Sequence, residues 1–130
     1  MKTKVIALAS MLLLSYVLAE EKPRSTLAID LECGGSDCLL LKGAPQTTGM
    51  RSGFVRLKPG ESVGAHSTEE HEEALVVLRG QGKAEVEGQN QVIVSSRKLI
   101  YIPPRSRHNV TNTGSDVLEY VYVVAPIGKE

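Results

Sequence analysis

From residue 26 onward the chain is written in short apolar runs, each closed by glycine, proline, asparagine or aspartate. No apolar period near 3.6 residues lasts long enough to make a core helix. The runs are Leu27–Leu31, Leu39–Leu41, Phe54–Leu57, Ala74–Leu78, Ala84–Val86, Val92–Val94, Leu99–Ile102, His108–Thr111 and Val117–Ala125. They are rich in valine, isoleucine, leucine and tyrosine and recur about every 8 to 12 residues, the rhythm of an antiparallel sandwich or barrel. The punctuation between them has a mechanism. Pro59 presets one backbone angle and Gly60 frees the next, Gly88-Gln89-Asn90 tightens a hairpin, and Asn112-Thr113-Gly114 tolerates left-handed geometry. Pro103-Pro104 stops the run that ends at Ile102, because proline brings no N–H to a ladder. The fold class that follows is all-β with little helix.

The first nineteen residues do not share this pattern. Lys2 and Lys4 precede an apolar stretch from Val5 to Leu18, and Val17-Leu18-Ala19 offers a cleavage site before the polar Glu20-Glu21-Lys22-Pro23. This reads as a secretory signal peptide over residues 1–19. A membrane-spanning helix needs about 20 apolar residues, more than this stretch provides. Cleavage leaves 111 of the 130 residues, enough for one domain and no second module. A mature protein that is secreted or periplasmic, with no membrane attachment after cleavage, is expected.

Charge excludes some partners. The chain carries 15 basic and 15 acidic residues, and the loss of Lys2 and Lys4 leaves the mature part weakly acidic. No basic stripe or long charge run offers a surface to nucleic acid or anionic lipid. The two cysteines, Cys33 and Cys38, flank a Gly-Gly-Ser-Asp turn, and export puts them where such a pair closes into a disulfide. The spacing is not Cys-x-x-Cys, so a staple is expected rather than a redox pair.

All three histidines, His66, His71 and His108, fall near glycine and proline turns. Glu73 stands two residues after His71, and in a strand residues i and i+2 share a face. Ala74–Leu78 is apolar at every position, which predicts a strand buried on both sides. A carboxylate and imidazoles projecting into such an interior cannot remain charged and unpaired. A divalent transition metal satisfies them together, since imidazole and carboxylate are good ligands for first-row ions. Glu69, Glu70 and Glu72 read as a solvated edge, and Asn112 as a turn-ordering residue. Tyr101, Tyr120 and Tyr122 read as core or rim packing that could reach a cavity mouth. Arg51, Arg56, Arg105 and Arg107 are the cations that could meet an anionic substrate.

These residues carry a resemblance. Gly60, five residues, His66, then Glu73, six residues and Gly80 resemble the first motif of the cupin superfamily, G-x5-H-x-H-x3,4-E-x6-G. Pro103, His108 and Asn112 resemble its second motif, P-x-G-x2-H-x3-N. The resemblance spans residues 50–125 and implies a double-stranded β-helix, the jelly-roll barrel of the cupins. Residues 20–49 would form an N-terminal segment with strands and the Cys33–Cys38 bridge. The chain departs from the motifs at three points. Thr68 stands where the second histidine falls, Arg105 replaces the glycine of the second motif, and Arg97 replaces the glycine six residues before Pro103. We therefore expect His71 to supply the missing imidazole, giving a metal set of His66, His71, Glu73 and His108.

Cupins span many activities, so fold alone decides little. The resemblance implies a metal-dependent, dioxygenase-like enzyme acting on a small molecule, with Fe, Mn, Ni, Cu or Zn as cofactor. The alternative is a non-catalytic small-ligand-binding module of the cell envelope. The absence of tryptophan and the single phenylalanine, Phe54, leave little aromatic surface for a carbohydrate platform. The resemblance also implies barrels that pair as homodimers, which would cover exposed strand edges.

Overall fold

The computed structural model describes residues 24–128, so the expected signal peptide lies outside the described residues. Nine strands follow one another: β1 Asp37–Lys42, β2 Arg51–Leu57, β3 His66–Ser67, β4 His71–Arg79, β5 Gln81–Val86, β6 Val92–Ser95, β7 Leu99–Ile102, β8 Arg107–Asn112 and β9 Leu118–Pro126. No helix occurs among the described residues. One sheet has the order β1-β2-β9-β4-β7 and the other β3-β8-β5-β6. Every pairing is antiparallel. The two sheets face each other, and residues of alternating position on their inner faces make the core.

That core contains Val55, Leu57, Leu75, Val77, Ala84, Val94, Ile100, Ile102, Val110, Leu118 and Tyr120. Leu75, Ile102 and Leu118 are at most 1% exposed. Truncating any one of them to alanine should cost roughly 2–5 kcal/mol, because transfer and cavity terms add. The chain crosses from one sheet to the other at Gly80, whose φ of 86° is left-handed. A side chain there would also strike the Val117 carbonyl, so only glycine fits this crossing. Asn112 closes the barrel at the far end of β8. Its amide nitrogen donates to Leu57 O (2.9 Å) and Asp116 O (2.8 Å), and its Oδ1 accepts from Gly114 N (2.9 Å).

Two expectations are corrected. Leu27–Leu31 is not a strand: its backbone joins no ladder, and Leu27, Ile29 and Leu31 remain 48%, 39% and 44% exposed. Alternation supplies one apolar side, but a strand also needs a neighbour to bond, and β1 pairs with β2 instead. The second correction concerns β4, which is buried on one side only. Glu73, Leu75 and Val77 point inward, while Val76 and Leu78 are 41% and 40% exposed on the outer face. That outer face belongs to a two-sheet barrel and meets solvent. Cys33 and Cys38 are bonded as expected, with Cα atoms 5.8 Å apart. Such a short loop adds about 2 kcal/mol in the chain-entropy account.

Candidate metal centre

β3 is only two residues long, yet it places the first histidine. His66 pairs directly with His108 of β8, so two imidazoles stand side by side on neighbouring strands. Their ring centroids are 4.2 Å apart at 59°. Glu73 enters from the facing sheet, held in β4 between Val124 of β9 and Ile102 of β7. One ligand atom from each of His66, Glu73 and His108 lies within 4.8 Å of the others. Glu73 and His108 are buried, and His66 reaches solvent.

Both rings are fixed in one tautomer by backbone carbonyls two residues earlier. His66 Nδ1 lies 2.9 Å from Gly64 O, and His108 Nδ1 lies 3.1 Å from Ser106 O. A carbonyl only accepts, so each Nδ1 carries the proton and each Nε2 presents a lone pair. Metal-ligating histidines are oriented in this way, by a hydrogen bond from the nitrogen that does not bind the ion. His108 Nε2 is buried without a hydrogen-bond donor, 3.1 Å from Glu73 Oε2. Two acceptors at that distance repel unless a proton or a cation joins them. Either one removes the repulsion. Burial alone would lower the His108 pKa, but the Glu73 carboxylate and the Ser106 carbonyl outweigh it, so the group titrates above the ordinary histidine value. The donor set fits a first-row divalent ion.

Of the four ligands expected from sequence, the structure brings three together. His71, half-buried at the first position of β4 and paired with Pro126, stands outside the group. Sharing a strand face is not sharing an ion: residues i and i+2 are about 6.6 Å apart along a strand. Thr68 has a different task from the ligand it replaces. It is 6% exposed, its hydroxyl donates to Pro103 O (2.8 Å), and it accepts from Ser106 N (3.0 Å). The Thr68 N–H also donates to Ser106 O at 3.2 Å. Thr68 thus clamps the residue whose carbonyl orients His108. Sequence types gave no signal for this role, because its partners are main-chain groups that every residue carries.

A cavity of about 640 Å³ opens on the site, with His66 and Glu73 in its wall. His108 lies behind them, 2% exposed. Tyr120 and Tyr122 line the cavity, whereas Tyr101 faces outward and donates to Glu72 Oε2 at 3.1 Å. Burial raises the pKa of both cavity phenols, and the nearby Glu73 carboxylate raises it further, so both remain hydrogen-bond donors at neutral pH. Of the four arginines singled out, only Arg51 reaches the cavity. Arg56 pairs with Glu119 at 2.9 Å and lies over the Phe54 ring, Arg105 forms a two-pronged pair with Glu70, and Arg107 is exposed on β8.

Residues 53–124 match the family model of the cupin domain, more than half of the chain. The protein therefore belongs to the cupin family. It is 28% identical over 106 residues to the tetracenomycin polyketide synthase protein TcmJ of Streptomyces glaucescens, covering 79% of this chain and 69% of that one. Among solved structures, the cupin domain of Cnp3 from Schizosaccharomyces pombe superposes with a TM-score of 0.63 at 15% identity. That match covers 70% of this chain and 64% of the other, less than two thirds of its length. A predicted oxalate decarboxylase from Thermotoga maritima superposes with a TM-score of 0.59 at 18% identity, over 78% of this chain and all of the other. At such identities the likeness to solved structures establishes the fold, a double-stranded β-helix, and nothing finer.

Proposed function

We propose that this protein is an exported, metal-dependent cupin enzyme that acts on a small molecule inside the barrel. The carrying observation is the convergence of one ligand atom each from His66, His108 and Glu73 on three strands, with both imidazoles already oriented by their Nδ1 hydrogen bonds. Two histidines and one carboxylate with open positions are the donor set of non-haem iron oxygenases, which favours dioxygenase-like chemistry. Mn, Ni, Cu and Zn accept the same donors. When bound, the ion would supply Lewis acidity or a redox centre at the cavity wall. The chain's own residues do the rest. His66 and His108 hold the ion through neutral nitrogens, Glu73 balances part of its charge, and the phenols of Tyr120 and Tyr122 donate to oxygens of whatever enters. Leu39, Val55, Leu57 and Val63 offer apolar contacts to the body of a ligand in the cavity.

The likeness to TcmJ, a polyketide synthase protein, and to a predicted oxalate decarboxylase is consistent with small-molecule chemistry. The disulfide supports an oxidising location, secreted or periplasmic. The apolar outer face around Val76, Leu99 and Tyr101, beside the edge strand β7, would suit a homodimer. The rival reading, a non-catalytic binding module, draws on Thr68, whose hydroxyl is engaged in structural bonds where the family places a second histidine.

Elemental analysis of residues 20–130, purified without chelators or a histidine tag, tests the proposal. Near-stoichiometric transition metal supports it. No metal after incubation with several divalent ions refutes it and moves the assignment to the binding module.

A further inference from the structure

Gly53 lies in the interior of β2, where glycine weakens a strand and no turn requires it. It pairs with Tyr122 of β9. A Cβ at Gly53 would stand 2.5 Å from the Tyr122 hydroxyl oxygen and overlap the ring edge. The missing side chain is therefore the space in which the phenol lies across β2, in the cavity wall. No group among the described residues hydrogen-bonds that hydroxyl. Arg51, two residues before Gly53, lines the same cavity and lacks an ion-pair partner among the described residues, unlike Arg56 and Arg105.

The charges on this wall have a consequence. Arg51 stands against two carboxylates, Asp37 and Glu73, leaving one negative charge. A divalent ion at the metal centre turns that into one positive charge, which a monoanion neutralises. Leu39, Val55, Leu57 and Val63 add an apolar stretch to a wall that also carries Ser36 and Ser62. We propose that Tyr122, seated over Gly53, and Arg51 determine ligand specificity, and that the cavity takes a small monoanion with an apolar body, a carboxylate or enolate. Its charged oxygens meet the ion held by His66, Glu73 and His108 while accepting a hydrogen bond from the Tyr122 phenol. This inference rests on the metal reading above. Burial keeps the phenol protonated, as the donor role requires.

The test uses the mature chain loaded with zinc and titrated calorimetrically with benzoate and its neutral isostere benzamide. Zinc content and melting temperature are recorded for wild type, Tyr122→Phe and Arg51→Met. Benzoate should bind at least tenfold more tightly than benzamide. Tyr122→Phe should weaken benzoate binding by about tenfold or more, the usual effect of losing a hydrogen bond to a charged acceptor. Zinc content and melting temperature should not change. Arg51→Met should weaken benzoate and leave benzamide unaffected. Equal binding of the two probes, no binding of either, or unchanged benzoate affinity in Tyr122→Phe overturns the inference while leaving the metal centre standing. Loss of zinc from Tyr122→Phe also overturns it, since the phenol would then act on the metal site rather than on the ligand. Failure of the wild type to hold zinc or any other divalent ion removes the metal reading and the inference with it.

Discussion

Replacing Thr68 by valine, a side chain of nearly the same shape, separates the hydroxyl from the volume it fills. Two hydrogen bonds disappear, one to Pro103 O at 2.8 Å and one from Ser106 N at 3.0 Å. Both orphaned groups are main-chain atoms in a partly buried loop, where an unsatisfied donor or acceptor costs about 1–3 kcal/mol. The added methyl returns up to about 0.8 kcal/mol of burial. The expected net loss is therefore roughly 2 kcal/mol, seen in urea titration as a lower midpoint with an unchanged slope. For a domain of this size that corresponds to a fall of roughly 10 °C in melting temperature. Thr68→Ser keeps the hydroxyl and should lose less than half as much. The same change should reach the metal centre through Ser106, whose carbonyl orients His108. Loss of such a supporting partner costs about 10–100-fold in metal affinity, and the lower end is expected here because the His108 hydrogen bond itself survives. The reasoning is refuted if Thr68→Val lies within about 0.5 kcal/mol of wild type, since buried partners cannot be lost so cheaply. It is equally refuted if the serine and valine variants fall together.

Other changes probe the remaining parts. Asn112→Ala orphans Leu57 O, Asp116 O and Gly114 N and should cost roughly 3–5 kcal/mol in denaturant titration. His71→Ala should leave metal affinity within about threefold of wild type by competition with a chromophoric chelator, whereas Glu73→Gln should lower it by at least about a hundredfold. In the metal-free protein His108 titrates above its unfolded value, so its contribution to stability is complete at low pH and is lost as pH rises through the raised value. Metal-free stability should therefore fall across the range from about 6.5 upward, and Glu73→Gln should flatten that slope. Metal binding requires the neutral ring, so the stabilisation on adding metal should grow over the same range, as melting curves with and without chelator would show.

Much of the barrel could be read from the sequence because strands of this kind announce themselves by short apolar runs and explicit turn chemistry. Eight of the nine runs coincide with observed strands. The two-residue strand β3 could not be read, since His66-Ser67 has no periodicity and exists only because β8 passes beside it. Leu27–Leu31 misled for the converse reason: local alternation was present and a ladder partner was not. His66, Glu73 and His108 were legible because their spacing follows two ordered motifs. The i, i+2 rule that groups His71 with Glu73 holds along one strand, whereas an ion selects by distance across strands. There, directly opposed residues have Cβ atoms about 4.5–5.5 Å apart. The role of Tyr122 was out of reach of residue types alone. It depends on Gly53, 69 positions earlier in the chain, which only the register brings beneath the ring.

Two of the three departures from the cupin motifs, Thr68 and Arg105, look unrelated in sequence and meet in the structure. Arg97 lies in the turn before β7 with its N–H on Val77 O. Arg97 and Arg105 stand where the motifs have glycine, and both adopt the left-handed conformation glycine favours, with φ of 66° and 54°. That geometry costs a side-chain-bearing residue about 1–2 kcal/mol. The Arg105 pair with Glu70 is too exposed to offset much of it. The backbone returns more. Arg105 N donates to Glu69 O at 2.9 Å, next to the paired main-chain and hydroxyl bonds of Thr68 with Ser106. The loop after β3 and the loop before β8 are thereby laced into one unit, and that unit delivers the Ser106 carbonyl to His108. The chain carries threonine and arginine where the motifs have histidine and glycine, and the loop path runs through the bonds of both. If the left-handed turn is what the position demands, Arg105→Gly should preserve metal affinity and leave stability unchanged or slightly higher. Arg105→Pro, which cannot adopt positive φ and removes the donor to Glu69, should weaken both.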